Sequence, residues 1–288
     1  MMQKMPTLYI VATPIGNLED ISQRALRALR EVKLIAAEDT RKTRHLLSAY
    51  DIKTPMTSYY EHNKLTKLDY ILEQLKKMDV ALVSEAGMPG ISDPGYELIA
   101  AASRQQIQIV PIPGPSAITT ALAVSGLPTD RFTFIGFLPN KATARRKALE
   151  EIADEPGTII VLEAPHRITA ALGDIVKVLG DRRIAVCREM TKLHEEVFRG
   201  TVSEAIKHFT NPRGEFTLVI EGRGAKEKPQ MTDVVEKQLH ELYLAGATAK
   251  EAVAAVSGET GLKRKELYQT WIKLDKVCER SNNTRKTR

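Results

Sequence analysis

Through the first 112 residues, short apolar runs alternate with longer stretches in which apolar residues recur every three or four positions. The runs at 8–12, 34–37, 80–83 and 107–112 predict strands, and the periodic stretches at 21–32, 45–49, 65–78 and 95–103 predict helices. Strands joined by helices of this length need crossover connections, which are right-handed, so the region predicts an α/β domain with a mainly parallel sheet. The cluster Pro111-Ile112-Pro113-Gly114-Pro115 marks its end. Further strands are predicted at 132–136, 158–162, 184–187, 196–199 and 216–221, with helices at 117–124, 144–152, 168–179 and 203–209. These define a second α/β unit with mixed strand directions. Residues 222–230 are polar and glycine-containing and predict a linker. Three periodic stretches at 234–244, 249–256 and 262–274, joined by short glycine turns, then suit a helix-turn-helix-like module.

The expected organisation is therefore an α/β domain over 1–113, a second over 114–224, a helical module over 231–276 and a tail over 277–288. A length of 288 residues suits two domains with an appendage better than one core. The net charge of +6 matters once it is located: residues 263–288 hold nine basic and three acidic side chains, so residues 1–262 are formally neutral. A neutral body with a basic tail fits an enzyme that holds a polyanion through an appendage, although 281–288 alone reads as a solvated terminus. Cys187 and Cys278 have no ligand neighbours, and the six histidines form no H-x-x-x-H or H-E-x-x-H pair, so no metal site is expected. No apolar stretch approaches bilayer length and the first residues lack the order of a signal peptide, which predicts a soluble, cytoplasmic protein.

Chemistry is sought in the loops after the strands, because open parallel sheets bind ligands beyond their carboxyl ends. Three such loops are rich in glycine and proline: Thr13-Pro14-Ile15-Gly16-Asn17, the stretch 84–95, and Pro113-Gly114-Pro115-Ser116. That composition suits a pre-formed pocket approached closely by backbone. Neither G-x-x-x-x-G-K-[ST] nor G-x-G-x-x-G is present, which disfavours a phosphate-rich cofactor. S-adenosylmethionine fits instead, since its carboxylate suits helix-terminal N–H groups and its ammonium suits an acid such as Glu85 or Asp93. The plainer alternatives are a helix N-cap for Asp93 and a surface acid for Glu85. Charged strand ends at Glu38-Asp39-Thr40-Arg41, Glu163-Ala164-Pro165-His166-Arg167 and Arg188-Glu189-Met190-Thr191-Lys192 also face the expected crevice. Asp39 reads equally as an N-cap, and each of these residues singly could be a surface ion pair.

The chain resembles the ribosomal RNA small-subunit methyltransferase I family. The resemblance rests on V-A-T-P-I-G-N-L-E-D-I (11–21), A-A-E-D-T-R (36–41), S-E-A-G-M-P-G-I-S-D-P-G (84–95), P-G-P-S-A (113–117) and G-F-L-P (136–139). It continues through E-A-P-H-R (163–167), R-E-M-T-K-x-H-E-E (188–196) and G-E-F-T-L-V-I-E-G (214–222). It implies a tetrapyrrole methylase-like fold of two α/β domains, with S-adenosylmethionine in the cleft between them, and a homodimer. It also implies 2′-O-methylation of a cytidine in the decoding region of 16S ribosomal RNA, within the small subunit. By position it places donor contacts at Ser84, Glu85, Ala86, Gly87, Ile91, Pro113, Gly114, Pro115, Ser116, Leu138, Ala164 and Pro165. Glu85 stands where the family usually has Asp, Met88 where it often has Thr, and Met190 where Leu is more usual.

A ribose hydroxyl is a weak nucleophile while neutral, so the reaction calls for a base or a cation that favours the alkoxide. The candidates are Glu38, Asp39, Glu163, His166, Arg188 and Glu189. RNA contacts are expected from Arg41, Lys42, Arg44, Lys141, Arg145, Arg146 and Lys147, and from Lys263, Arg264 and Lys265 beside Tyr268 and Trp271. Each could instead belong to a solvated helix face. A tetrapyrrole-type small-molecule methylase and a non-catalytic RNA-binding assembly factor are the alternative functions.

Overall fold

The structure, a computed structural model, describes residues 6–61, 64–224 and 231–273. The expected tail over 277–288, Cys278, His62 and most of the expected linker lie outside the described residues. The chain forms two compact units, Met1–Arg223 and Gly224–Arg288.

In the first unit, β1 (Thr7–Val11), α1 (Gln23–Glu31), β2 (Leu34–Ala37), α2 (Thr40–Ala49), β3 (Met56–Ser58), α3 (Lys64–Leu75), β4 (Val80–Val83), α4 (Tyr96–Arg104) and β5 (Gln108–Ile112) follow in order. The strands form one sheet in the order β3-β2-β4-β1-β5, and every neighbouring pair is parallel. The apolar runs are continuous because both faces are covered. Val11, Ile35, Ala37, Ala81 and Val83 face α1 and α2, whereas Leu8, Ile10, Leu34, Ala36, Val80 and Leu82 face α3 and α4. This is the two-residue alternation of a strand written entirely in apolar letters.

Two elements depart from the sequence expectation. Strand β3 was not anticipated: Met-Thr-Ser is short and half-buried at the sheet edge, and carries no alternation. Helix α2 begins five residues before the expected 45, because the Asp39 carboxylate accepts the backbone N–H groups of Arg41 and Lys42 at 2.8 and 3.2 Å and caps a polar first turn.

Residues 113–116 carry the chain to α5 (Ala117–Ser125), which lies on a second sheet. That sheet is built from β6 (Phe132–Phe137), β7 (Thr158–Glu163), β8 (Arg183–Arg188), β9 (Glu196–Thr201) and β10 (Phe216–Ile220), in the order β6-β7-β10-β8-β9. Only β6 and β7 run parallel; the other neighbours are antiparallel, as the mixed directions anticipate. Helices α6 (Ala142–Glu151), α7 (Ile168–Leu179) and α8 (Val202–His208) cover one face, and α5 the other.

One expectation falls here. Arg145, expected to meet RNA, is buried in α6: Nε and Nη2 lie 2.8 and 2.7 Å from Asp174 Oδ2, and Nη1 donates to the carbonyl of Asn140 at 3.1 Å. Its charge is satisfied inside the fold. Arg146 shares Asp174 at 2.8 Å but remains half-exposed.

The second unit contains α9 (Asp233–Leu244), α10 (Ala249–Thr260) and a helix over 264–273. Thr248 and Glu251 form a reciprocal capping box at the start of α10, and Gly261 ends it in the left-handed conformation. Val235, Leu239, Val253, Val256, Leu267 and Trp271 make its core. Trp271 is therefore a core residue packed edge-on against Tyr243, while Lys263, Arg264, Lys265 and Tyr268 are exposed.

Candidate active site

Strands β1 and β4 are neighbours whose following helices, α1 and α4, lie on opposite faces of the sheet. Their loops must diverge, which opens a crevice at the carboxyl ends. The two loops are tied at one point, where Thr13 and Gly87 exchange backbone hydrogen bonds of 2.9 and 3.0 Å. Gly87 does this at φ +82°, a conformation that a side chain would strain. Beneath the loop Ser84 is buried, and its hydroxyl reaches the carbonyls of Ala86 and Gly87 at 3.4 Å.

A cavity of about 530 Å³ lies over this crevice, walled by both sheets of the first unit. From the first half come Ile15, Gly16, Lys42, Asp93 and the run from Glu85 to Met88; from the second come Ser116, Ala117, Ile118, Phe137, Leu162, Glu163, Ala164, Pro165, Met190, Lys192, Glu215 and Phe216. The volume is that of a small-molecule site, and its wall is mainly apolar with a few converging charges. The two halves meet closely at Gly16, where a Cβ would lie 2.5 Å from Lys192 Cγ and 2.7 Å from Thr191 Oγ1.

Among the expected donor contacts, Glu85, Ala86, Gly87, Ile91, Asp93, Ser116, Ala164 and Pro165 line the cavity. Ser84 supports it from below. Pro113, Gly114, Pro115 and Leu138 do not line it; Gly114 instead abuts the end of β1, where a Cβ would meet that of Ala12 at 3.0 Å. The N-cap reading of Asp93 fails, because Gly95 occupies the N-cap of α4. Burial and the nearby charge of Glu38 push the Asp93 carboxyl up to about 6, against a hydrogen bond from Ser84. Glu85 forms an ion pair with Lys42, which places that expected RNA contact at the cavity rim. Ser116 makes no side-chain capping bond at the start of α5, so the first-turn N–H groups beside Ala117 and Ile118 are not used by a cap.

The candidate bases separate by environment. Glu163 ends β7 with its carboxylate fully buried, 3.0 Å from Arg167 Nε and accepting the Ala164 N–H at 2.9 Å. Burial raises its pKa, and these partners only partly oppose the rise. Glu38 accepts the Glu85 N–H at 3.0 Å, and burial raises it too, against the Lys42 charge. Asp39 is a helix cap whose backbone hydrogen bonds hold it below the usual carboxylate range, which makes it a poor base. Glu189 is likewise lowered, first by its hydrogen bond to Lys192, and is committed to Lys192 and the Glu215 N–H at 2.8 and 3.0 Å. Arg188 lies 3.4 Å from Glu196 and His166 is exposed; neither lines the cavity.

Sequence reasoning missed Lys192 and Glu215, together with the apolar wall from Met88, Ile118, Phe137, Met190 and Phe216. Lys192 stands inside the motif at 188–196, but the motif does not disclose its direction. That direction depends on a loop where Glu189 and Thr191 both take positive φ, at 49° and 67°.

The family described as Tetrapyrrole (Corrin/Porphyrin) Methylases matches residues 7–206. A protein named Ribosomal RNA small subunit methyltransferase I from Halalkalibacterium halodurans is 46% identical over 273 residues, covering 92% of this chain and 94% of its own. Its namesake from Thermotoga maritima is 51% identical over 222 residues, covering 76% of this chain and 100% of its own. Among solved structures, a diphthine synthase superposes with a TM-score of 0.59 at 17% identity, covering 75% of this chain and 90% of its own. Uroporphyrin III C-methyl transferase from Thermus thermophilus does so at 0.54 and 16%, covering 75% of this chain and 97% of its own. At these identities the structures speak for the fold, while the sequence relatives speak for the lineage. Taken with the cavity at the switch point of the parallel sheet, they show that the chain belongs to the ribosomal RNA small subunit methyltransferase I family, within the tetrapyrrole methylases.

Proposed function

We propose that this S-adenosylmethionine-dependent methyltransferase modifies the 2′-hydroxyl of a cytidine in the decoding region of 16S ribosomal RNA, acting on the small subunit. The observation that carries the reading is the composition of the cavity wall: an apolar surface, an uncapped helix start and two desolvated carboxylates, Asp93 and Glu163, at one site. When bound, the donor supplies a methyl group already activated on a sulfonium. The first-turn N–H groups of α5 would hold its carboxylate, Asp93 its ammonium, and Met88, Ile118 and Phe137 its apolar surface.

The protein's own task is to orient the acceptor, exclude water and take a proton. Glu163 is the base in this reading. Burial raises its proton affinity, and Arg167 and the Ala164 N–H fix its direction. The positive residues Arg41, Arg44, Lys141, Arg146 and Lys147, with Lys263, Arg264 and Lys265 on the helical unit, would contact phosphates. We propose also that residues 1–113 and 114–224 act as two domains around the donor, with 231–276 as an RNA-binding module, and that the enzyme works as a homodimer.

Small subunits lacking the modification, incubated with methyl-labelled donor and digested to nucleosides, test the reading. Label in the ribose of a cytidine is expected. Label on a base, or none, would overturn it.

A further inference from the structure

The loop between β8 and β9 bears charges that the proposed function leaves unused. Lys192 lines the cavity, yet its ammonium is held away from free movement by two carboxylates: Glu189 Oε1 at 2.8 Å and Glu215 Oε2 at 3.1 Å. Three features fix its backbone. Glu189 and Thr191 take positive φ on either side of Met190, a conformation that costs non-glycine residues free energy and persists only where the surroundings impose it. The Thr191 N–H is tied to Glu195 at 2.5 Å. Gly16 fits against Lys192 Cγ and Thr191 Oγ1 so closely that no side chain could stand there.

A strained, multiply tied loop that presents one cation to a cavity is more than a surface ion pair requires. Exposed pairs contribute little and need no strain. Burial draws the Lys192 pKa down, but the hydrogen bonds it donates to Glu189 and Glu215 outweigh this and hold the ammonium charged. Lys192 is therefore unsuited to accept a proton and suited to stabilise negative charge.

We infer that Lys192 is a catalytic residue whose ammonium hydrogen-bonds the acceptor hydroxyl oxygen and stabilises the negative charge that develops on it. The inference rests on the proposed ribose acceptor. As the O–H bond breaks, its electron pair stays on oxygen beside Lys192 and its proton passes to the carboxylate of Glu163. Glu189 and Glu215 are positioning residues that aim the ammonium. The other charged groups around the cavity are Lys42, Glu85, Asp93 and Glu163.

Single-turnover rates at saturating donor and small subunits, with donor affinity measured separately by calorimetry, test this in Lys192→Met. The expected result is a rate loss of about 100-fold or more with donor affinity within about twofold of the parent. An unchanged rate overturns the inference, as does a loss of donor binding that accounts for the rate. Glu215→Gln supplies a test that does not depend on that variant folding, because the Glu215 side chain is mostly exposed. With one carboxylate removed the ammonium loses its proton more easily, so the alkaline fall in rate should move to lower pH. An unmoved alkaline limb overturns the inference. Failure of the ribose reading is seen separately, as label on a base with the parent enzyme alone.

Discussion

The loops of the parallel sheet and those of the mixed sheet present charge to one cavity differently, although Glu85 and Lys42 form an ion pair on the parallel side too. On the parallel side, Asp93 and Glu38 are desolvated acids, the Glu38 charge further raises the proton affinity of Asp93, and Asp93 is in no ion pair among the described residues. On the mixed side, each described charge that lines the cavity has an ion-pair partner. Glu163 meets Arg167, Lys192 meets Glu189 and Glu215, and behind the wall Arg145 meets Asp174. An unmatched acid responds to pH and to an incoming cation, whereas a matched group is fixed in place. In the proposed reading the parallel side would therefore bind the charged donor, and the mixed side would hold the reacting groups still.

Deleting charges should separate the two sides, and the largest effect belongs to the mixed side. Arg145→Ala leaves Asp174 buried without its closest partner and should lower unfolding free energy by about 3–5 kcal/mol, read by urea denaturation. Next, Glu163→Gln should slow single-turnover methyl transfer by about 100-fold or more while donor affinity stays unchanged; an unchanged rate would remove Glu163 as the base. Replacing Lys263, Arg264 and Lys265 by alanine lies outside both sides and calibrates them. It should flatten the salt dependence of RNA binding by about 0.7 to 0.9 in slope for each phosphate no longer neutralised, with no effect on donor affinity.

The smallest effect has the opposite sign. The Asp93 pKa is raised to about 6 from 3.8, so the fold favours the protonated form. The stability this group lends is complete below about pH 4 and is lost as pH rises through about 6. Asp93→Asn, which stays neutral, should therefore melt a few degrees above the parent at pH 8 and level with it at pH 4. Equal melting at pH 8 would contradict the desolvated acid.

The sequence disclosed the fold more fully than the site, for a physical reason. Strands β1, β2 and β4 were legible because continuous apolar runs have few other uses in a polar chain, and β3 was not because three half-buried residues carry no period. The first two glycine and proline loops were legible as pocket walls because those residues report backbone conformation directly, whereas of 113–116 only Ser116 lines the cavity. Direction was hidden. Arg145 and Arg146 are adjacent basic residues on one helix, and only the placement of Asp174 two elements away turns the first into the core. Lys192 and Glu189 share a motif, yet which of them faces the cavity is set by positive φ values that non-glycine letters do not announce.

Asp93 is central to the proposal as the unmatched acid that would meet the donor's ammonium, and calorimetric titration of S-adenosylmethionine against pH tests this directly. Donor affinity of the parent protein should be greatest near neutrality and fall by up to about tenfold per unit as pH drops below about 6, the value to which Asp93 is raised. Asp93→Asn should bind weakly, with that pH dependence gone. Parent-like affinity in the variant, or the same acidic fall in both proteins, would contradict the assignment.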